Sequence, residues 1–355
     1  MLVLKIMSEV IGMREFTRFK KGVNLGGWLS QCGEENYNEQ HYSTFITSAD
    51  IDKIAEMGVD HIRLPIDYNV VMTDSGEFIE HGFTYIDRTI ADCRRHGLSL
   101  VLDLHKTAGF VFDNANDCQF FDNEQLQNIF CGLWVEFAKR YGDCDDIAFE
   151  LLNEVTHPDV AEKWNAIALR TIKAIREISQ SVKIIVGGIM NSSIKGLSLL
   201  DKPYDENIVF TYHFYSPMLF THQKAYWVDT MPKDSGCDYP IAEREIAEKS
   251  ERLFGNSFDE VFDKENTGLI GEKFFENMFA SAIKVSEKYD VPLYCGEYGV
   301  IDNADPESTV RWFRDIHSVF EKLGIAHAVW TYKEKDFGIT DEHYSSVYSE
   351  IVKLL

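Results

Sequence analysis

Short apolar runs alternate with longer amphipathic stretches along almost the whole chain, a rhythm that predicts parallel βα units rather than a sandwich or a helical bundle. The runs at 22–25, 59–64, 98–104, 147–152, 183–186, 208–213, 292–297 and 326–332 are rich in Val, Ile, Leu and aromatics. Strands covered on both faces read this way. Helical spacing fills 49–57, 85–96, 124–141, 159–178, 273–289, 307–323 and 345–354. Thr47 with Asp50, and Thr84 with Asp87, fit capping boxes, while Gly58, Gly97 and Gly324 stand where a left-handed C-cap is needed. The fifth unit is the weak one, since 193–200 offers little more than two helical turns.

Eight such units in 355 residues predict an α/β chain closed into a (β/α)8, or TIM, barrel. About 250 residues suffice for that fold. The surplus lies at 216–271, between the sixth strand and the helix leading to the seventh, with its own aromatics (Phe220, Tyr226, Trp227, Tyr239) and a helical charge pattern. A structureless loop of that length is improbable, so a small helical subdomain on the barrel's C-terminal face is expected. Without internal repeats or low-complexity linkers, 1–355 reads as a single catalytic domain carrying that insertion.

Composition narrows the partners. With 35 Lys plus Arg against 58 Asp plus Glu the formal charge is −23, which repels polyphosphates and anionic headgroups. Neither nucleic acid nor a membrane is expected as a partner, and no run approaches the roughly 18 apolar residues of a spanning helix. The first sixteen residues, their apolar run broken by Lys5 and Glu9, do not read as a secretory signal and are expected to be disordered or an edge segment. A cytoplasmic location follows from the sequence as given, or an extracellular one if an export signal is missing from it. Seven cysteines without a C-x-x-C pair suggest reduced thiols.

In a barrel the reacting groups sit at the C-terminal strand ends, and here those ends are unusually polar. They carry Arg63, Asp103, His105, Asn153, Glu154, His213, Tyr215, Glu297 and Trp330. Glu154 and Glu297, which end the fourth and seventh strands, would face each other across one mouth. Two opposed carboxyls are what glycoside hydrolysis needs; a structural ion pair is the plainer alternative, as core packing is for the histidines. Asp103-x-His105 is a faint metal pattern lacking further convergent ligands. Phosphate-loop, serine-elbow and zinc-protease motifs are missing, so no metal or organic cofactor is expected.

The motifs GVNLGGW at 22–28, HIRLP at 61–65, VLDLH at 101–105, FELLNE at 149–154, TYHFY at 211–215, CGEYG at 295–299 and VWTY at 329–332 together resemble glycoside hydrolase family 5. They resemble in particular its clostridial endoglucanases with an insertion after strand six, which THQKAYW at 221–227 supports. The resemblance implies retaining hydrolysis of β-1,4-glucosidic bonds in cellulose-type and mixed-linkage β-glucans. Glu154 would be the acid/base and Glu297 the nucleophile; Asn24, Arg63, His105, Asn153, His213 and Tyr215 would position them, and Trp330 would floor the cleaved sugar. Mannan, xyloglucan or oligosaccharide-specific hydrolysis, and a non-catalytic carbohydrate-binding barrel, are the alternatives. Trp28, Phe110, Trp227 and Tyr332 are candidate sugar platforms, and Asp336 a candidate hydroxyl ligand. Lys106 departs from the family pattern by placing a cation after His105. The sequon at Asn191 reads as coincidence.

Overall fold

The computed structural model describes residues 13–112, 118–255, 258 and 260–355, so the first twelve residues of the expected edge segment lie outside it. Eight parallel strands form a closed barrel in sequence order: β1 (Lys21–Asn24), β2 (His61–Asp67), β3 (Ser99–Lys106), β4 (Ile147–Glu150), β5 (Lys183–Gly187), β6 (Ile208–Phe214), β7 (Leu293–Tyr298) and β8 (Ala326–Val329). Closure pairs Val23 with both Ile62 and Val329. Val101, Ala148, Ile185, Val209, Ala326 and Ala328 fill the interior. Alternate residues on the same strands pack outward on the helices, which is why the runs are apolar throughout. In the β6–β7 ladder Tyr212 pairs with Cys295 but His213 with Glu297, so Gly296 is an extra residue.

The helices are α1 (Ser48–Glu56), α2 (Glu80–Arg95), α3 (Glu124–Tyr141), α4 (Ala161–Arg176), α5 (Glu243–Phe254), α6 (Glu272–Tyr289), α7 (Pro306–Leu323) and α8 (Tyr348–Leu354). The fifth unit has no long helix, only a four-residue turn, Ile189–Ser192, and a 3-10 segment, Lys195–Leu199, as its weak pattern suggested. The capping box at Thr47 forms, its N–H and hydroxyl each donating to Asp50 Oδ2 at 2.8 Å. The one expected at Thr84 does not: α2 starts a turn earlier, and the Thr84 hydroxyl bonds back to the His81 carbonyl. Burial of Gly82 and Phe83 draws that extra turn into the helix. Gly58, Gly97 and Gly324 have the positive φ expected of them, at 82°, 71° and 68°.

Segment 216–271 holds α5 and a one-turn helix, Met218–Thr221. It is tied to α7, where Tyr239 donates to Asp315 Oδ2 at 2.6 Å, Arg311 to the Tyr239 carbonyl at 2.7 Å and Trp312 to that of Ser216 at 3.2 Å. No helix among the described residues is long and apolar enough to cross a membrane.

Gly82 supplies a test of this packing. A Cβ there would lie 1.9 Å from the Val70 carbonyl oxygen, a backbone atom with little room to yield. Gly82→Ala should therefore destabilise the protein by about 1–3 kcal/mol, although alanine is the better helix former by roughly 1 kcal/mol. Urea unfolding reads the sign, and a stabilised variant would refute the close packing.

Candidate active site

The polar residues of the strands converge on Arg63, the third residue of β2, which is completely buried. Its Nε and Nη2 donate to the two oxygens of Glu150 at 2.7 and 3.0 Å, a bidentate pair. Nη1 donates to Asn24 Oδ1 at 2.9 Å and to Glu297 Oε1 at 2.7 Å, and Nη2 to Asn153 Oδ1 at 3.0 Å. Asp103 Oδ2 stands 3.0 Å from Nη2. Burial opposes the guanidinium's charge, but Asp103, Glu150 and Glu297 around it hold its pKa well above the ordinary value. Burial likewise raises Glu150 and lifts Asp103 to about 7, with Arg63 pulling each back. Asn24 is locked from its other end by donating to the Gly296 carbonyl at 3.0 Å.

Glu297 is held at both oxygens, since the Tyr215 hydroxyl donates to Oε2 at 2.9 Å while Arg63 takes Oε1. Glu154 lies just past β4 and is the more exposed of the two carboxyls, 16% against 7%. Its φ of 39° is in the left-handed region, which costs a non-glycine residue on the order of 1–3 kcal/mol. His213 Nδ1 bonds Glu154 Oε1 at 2.8 Å and lies 3.5 Å from Glu297 Oε2. Burial lowers the His213 pKa against the pull of Glu297, which favours the neutral form of the ring between the carboxyls. One oxygen from each glutamate and one His213 nitrogen all lie within 4.8 Å of one another, compact enough for a cation. A cation seated there would occupy the lone pairs of both carboxyls.

The Trp330 ring lies beside this group, with Gly26 against it: a Cβ on Gly26 would sit 2.7 Å from the indole. The second glycine of GVNLGGW thus makes room for the ring. His105 stacks on Trp330 at 5.8 Å between centroids and 10° between planes. Its Nδ1 donates to Asp103 Oδ2 at 2.6 Å, and Gln31 Nε2 donates to its Nε2 at 3.0 Å. Burial pushes the His105 pKa down to about 3.

Three expected platforms are corrected. Trp28 is fully buried, donates to the Tyr42 carbonyl at 2.9 Å and packs edge-on against Tyr85. Phe110 is buried against Phe120 and Phe121, and Tyr332 is buried with its hydroxyl on Asp50. None presents a face to a sugar. Trp227, 44% exposed, does line the cleft with Phe112, Glu154, His222 and Tyr215. Asp336 is not among the residues that line that cleft, and its backbone carbonyl accepts from Asp302 N–H at 2.7 Å. The Lys106 ammonium turns to Asp67, 3.7 Å away. Glu150 and Gln31 went unseen in the sequence; for Glu150 the signal was a second carboxylate inside FELLNE, for Gln31 there was none.

The cleft holds about 870 Å³ and runs from Glu154 along the 216–271 segment to Phe258 and Val261. The profile of the family described as Cellulase (glycosyl hydrolase family 5) matches residues 21–336. This chain belongs to glycoside hydrolase family 5. Cellodextrinase A of Ruminococcus flavefaciens is 43% identical over 309 residues, covering 86% of this chain and 83% of that protein. Endoglucanase C of Acetivibrio thermocellus is 40% identical, covering 95% and 98%. The crystal structure of Thermotoga maritima Cel5A in complex with mannotriose superposes with a TM-score of 0.74 at 26% identity, covering 96% of this chain and all of that one. The family and these relatives make the protein an endoglucanase-type glycoside hydrolase.

Two predictions concern the buried charges. Glu150→Ala leaves Arg63 without its bidentate partner and should cost about 3–5 kcal/mol, read by denaturant unfolding; an effect below about 1 kcal/mol would contradict the hub. For the neighbouring pair, an unfolded chain carries Asp103 ionised and His105 protonated between about pH 4 and 6.5. The fold keeps the proton on Asp103, up to about pH 7, and leaves His105 neutral down to about 3. Each state holds one proton, so the pair adds no slope to stability across that window. Nitrogen NMR should show the His105 imidazole neutral at pH 5; a midpoint near 6.5 would refute this.

Proposed function

We propose that this family 5 enzyme hydrolyses β-1,4-glucosidic bonds of cellulose-type and mixed-linkage β-glucans with retention, Glu297 acting as nucleophile and Glu154 as acid/base. The carrying observation is the approach of the two carboxyls, with oxygens inside 4.8 Å of each other. It fits the roughly 5–5.5 Å separation of retaining enzymes rather than the ~6.5–9.5 Å that admits a water in inverting ones. In the first step Glu297, aimed by Arg63 and Tyr215, attacks the anomeric carbon while Glu154 protonates the leaving oxygen. In the second, Glu154 takes a proton from water, which displaces Glu297 and releases the β anomer. Neutral His213 holds Glu154 in place through both steps, and Trp330 offers an apolar floor to the reacting sugar.

Relatives named for endoglucanase and cellodextrinase activity support glucan chains, polymeric or short, as substrates. The wall formed by 216–271 lies beside Glu154, where the departing part of the chain would sit. Trp227→Ala should raise KM for polymeric β-glucan by about threefold to tenfold and change short aryl glycosides little. Equal kinetics on long and short substrates would remove that wall from binding. Mannan should be cleaved more slowly than barley β-glucan in a reducing-sugar assay, and a tenfold preference for mannan would overturn the glucan assignment.

The mechanism is tested by the paired variants. Glu297→Ala should be nearly inactive on every substrate, with azide yielding an α-glycosyl azide. Glu154→Ala loses general acid catalysis, worth about 10²–10⁴-fold, yet should retain its first step on dinitrophenyl glycosides and give the β azide. Proton NMR of the first-formed sugar decides retention; an α anomer would exclude double displacement.

A further inference from the structure

The loop after β1 places Gln31 at the mouth with φ 55°, a left-handed conformation that a non-glycine residue holds only when its surroundings enforce it. What fixes its side chain is the bond from Nε2 to His105 Nε2 at 3.0 Å. His105 is fully buried, pressed flat on Trp330 and anchored through Nδ1 on Asp103. Its single remaining lone pair is therefore spent on Gln31. The carboxamide of this partly buried residue keeps Oε1 and a second N–H, and among the described residues neither has another hydrogen-bond partner. An acceptor and a donor in one plane match two neighbouring hydroxyls of a pyranose.

We propose that Gln31 is a specificity-determining residue that reads hydroxyls of the sugar lying on Trp330, with His105 serving as the post that orients its amide. This rests on the reading of the protein as a β-glucan hydrolase and extends it by naming the group that recognises the reacting ring. A side chain built to pair with a hydroxyl discriminates strongly against a ring lacking it, because its own polar atoms are then left unpaired.

The test is kcat/KM on dinitrophenyl β-cellobioside and its analogues deoxygenated one position at a time on the reacting ring, for wild type, Gln31→Leu and Gln31→Glu. In the wild type, one or two deoxygenations should cost tenfold or more. Gln31→Leu should lower kcat/KM for the parent compound by about tenfold to a hundredfold and abolish the penalty at those same positions, leaving the others unchanged. Gln31→Glu, which retains an acceptor, should recover part of the loss.

If Gln31→Leu costs the same factor on every analogue, the residue acts only by supporting His105 and the proposal is overturned. If no single deoxygenation costs the wild type more than about twofold, it is overturned without any variant, so misfolding of Gln31→Leu cannot shelter it. A wild type that leaves all the cellobiosides uncleaved overturns the glucanase reading as well, whereas an active wild type with a uniform Gln31 effect overturns this proposal alone.

Discussion

A guanidinium removed from water on every side is tolerable only where carboxylates and carbonyls replace its hydration. Arg63 finds these on β1, β3, β4 and β7, through Asn24, Asp103, Glu150 and Glu297, and just past β4 through Asn153. The interaction that solvates the arginine is thus also the one that fixes Glu297 relative to four other strands. One cation among three carboxyls leaves an excess of acceptors, which the pocket relieves by keeping a proton on Asp103. The rest of the site depends on that arrangement: Asp103 anchors His105, His105 backs Trp330, and Trp330 presses on Gly26.

Much of this was legible in the chain, for reasons that differ by element. The strands announced themselves because both of their faces are covered, and the glutamates because a charged residue ending an apolar strand needs a purpose. Direction was harder to read. Trp28 and Tyr332 belong to motifs that surround the mouth and Phe110 follows one of them, yet all three rings are packed into the main hydrophobic core. Residue type carries no sign for that choice. The start of α2 was missed because its extra turn is held by a tertiary contact, Gly82 on the Val70 backbone, rather than by any capping signal. Glu150 stayed hidden behind its neighbour Glu154, since a bidentate partnership with Arg63 exists only once β2 and β4 are brought together.

The two carboxyls are held by different means. Glu297 is gripped at both oxygens and nearly sealed, whereas Glu154 is tied through His213 on a strained residue facing the cleft. The first arrangement suits a group that must present one lone pair along a fixed line. The second suits a group that must give up and recover a proton while remaining open to water.

A regular strand turns alternate side chains to opposite faces, so residues three apart cannot both look into a barrel. Tyr294 and Glu297 nevertheless do, one packed in the interior and the other on Arg63. The spare residue in the β6–β7 ladder reconciles them, because Gly296 advances the count by one without adding a side chain to the lumen. Parity at position 297 is accordingly set by the bulge: a β7 that kept all its residues but paired with β6 in unbroken register would keep its barrel-filling tyrosine and turn the carboxylate outward, to the side where Tyr298 now packs on Trp312 and Phe313 of α7.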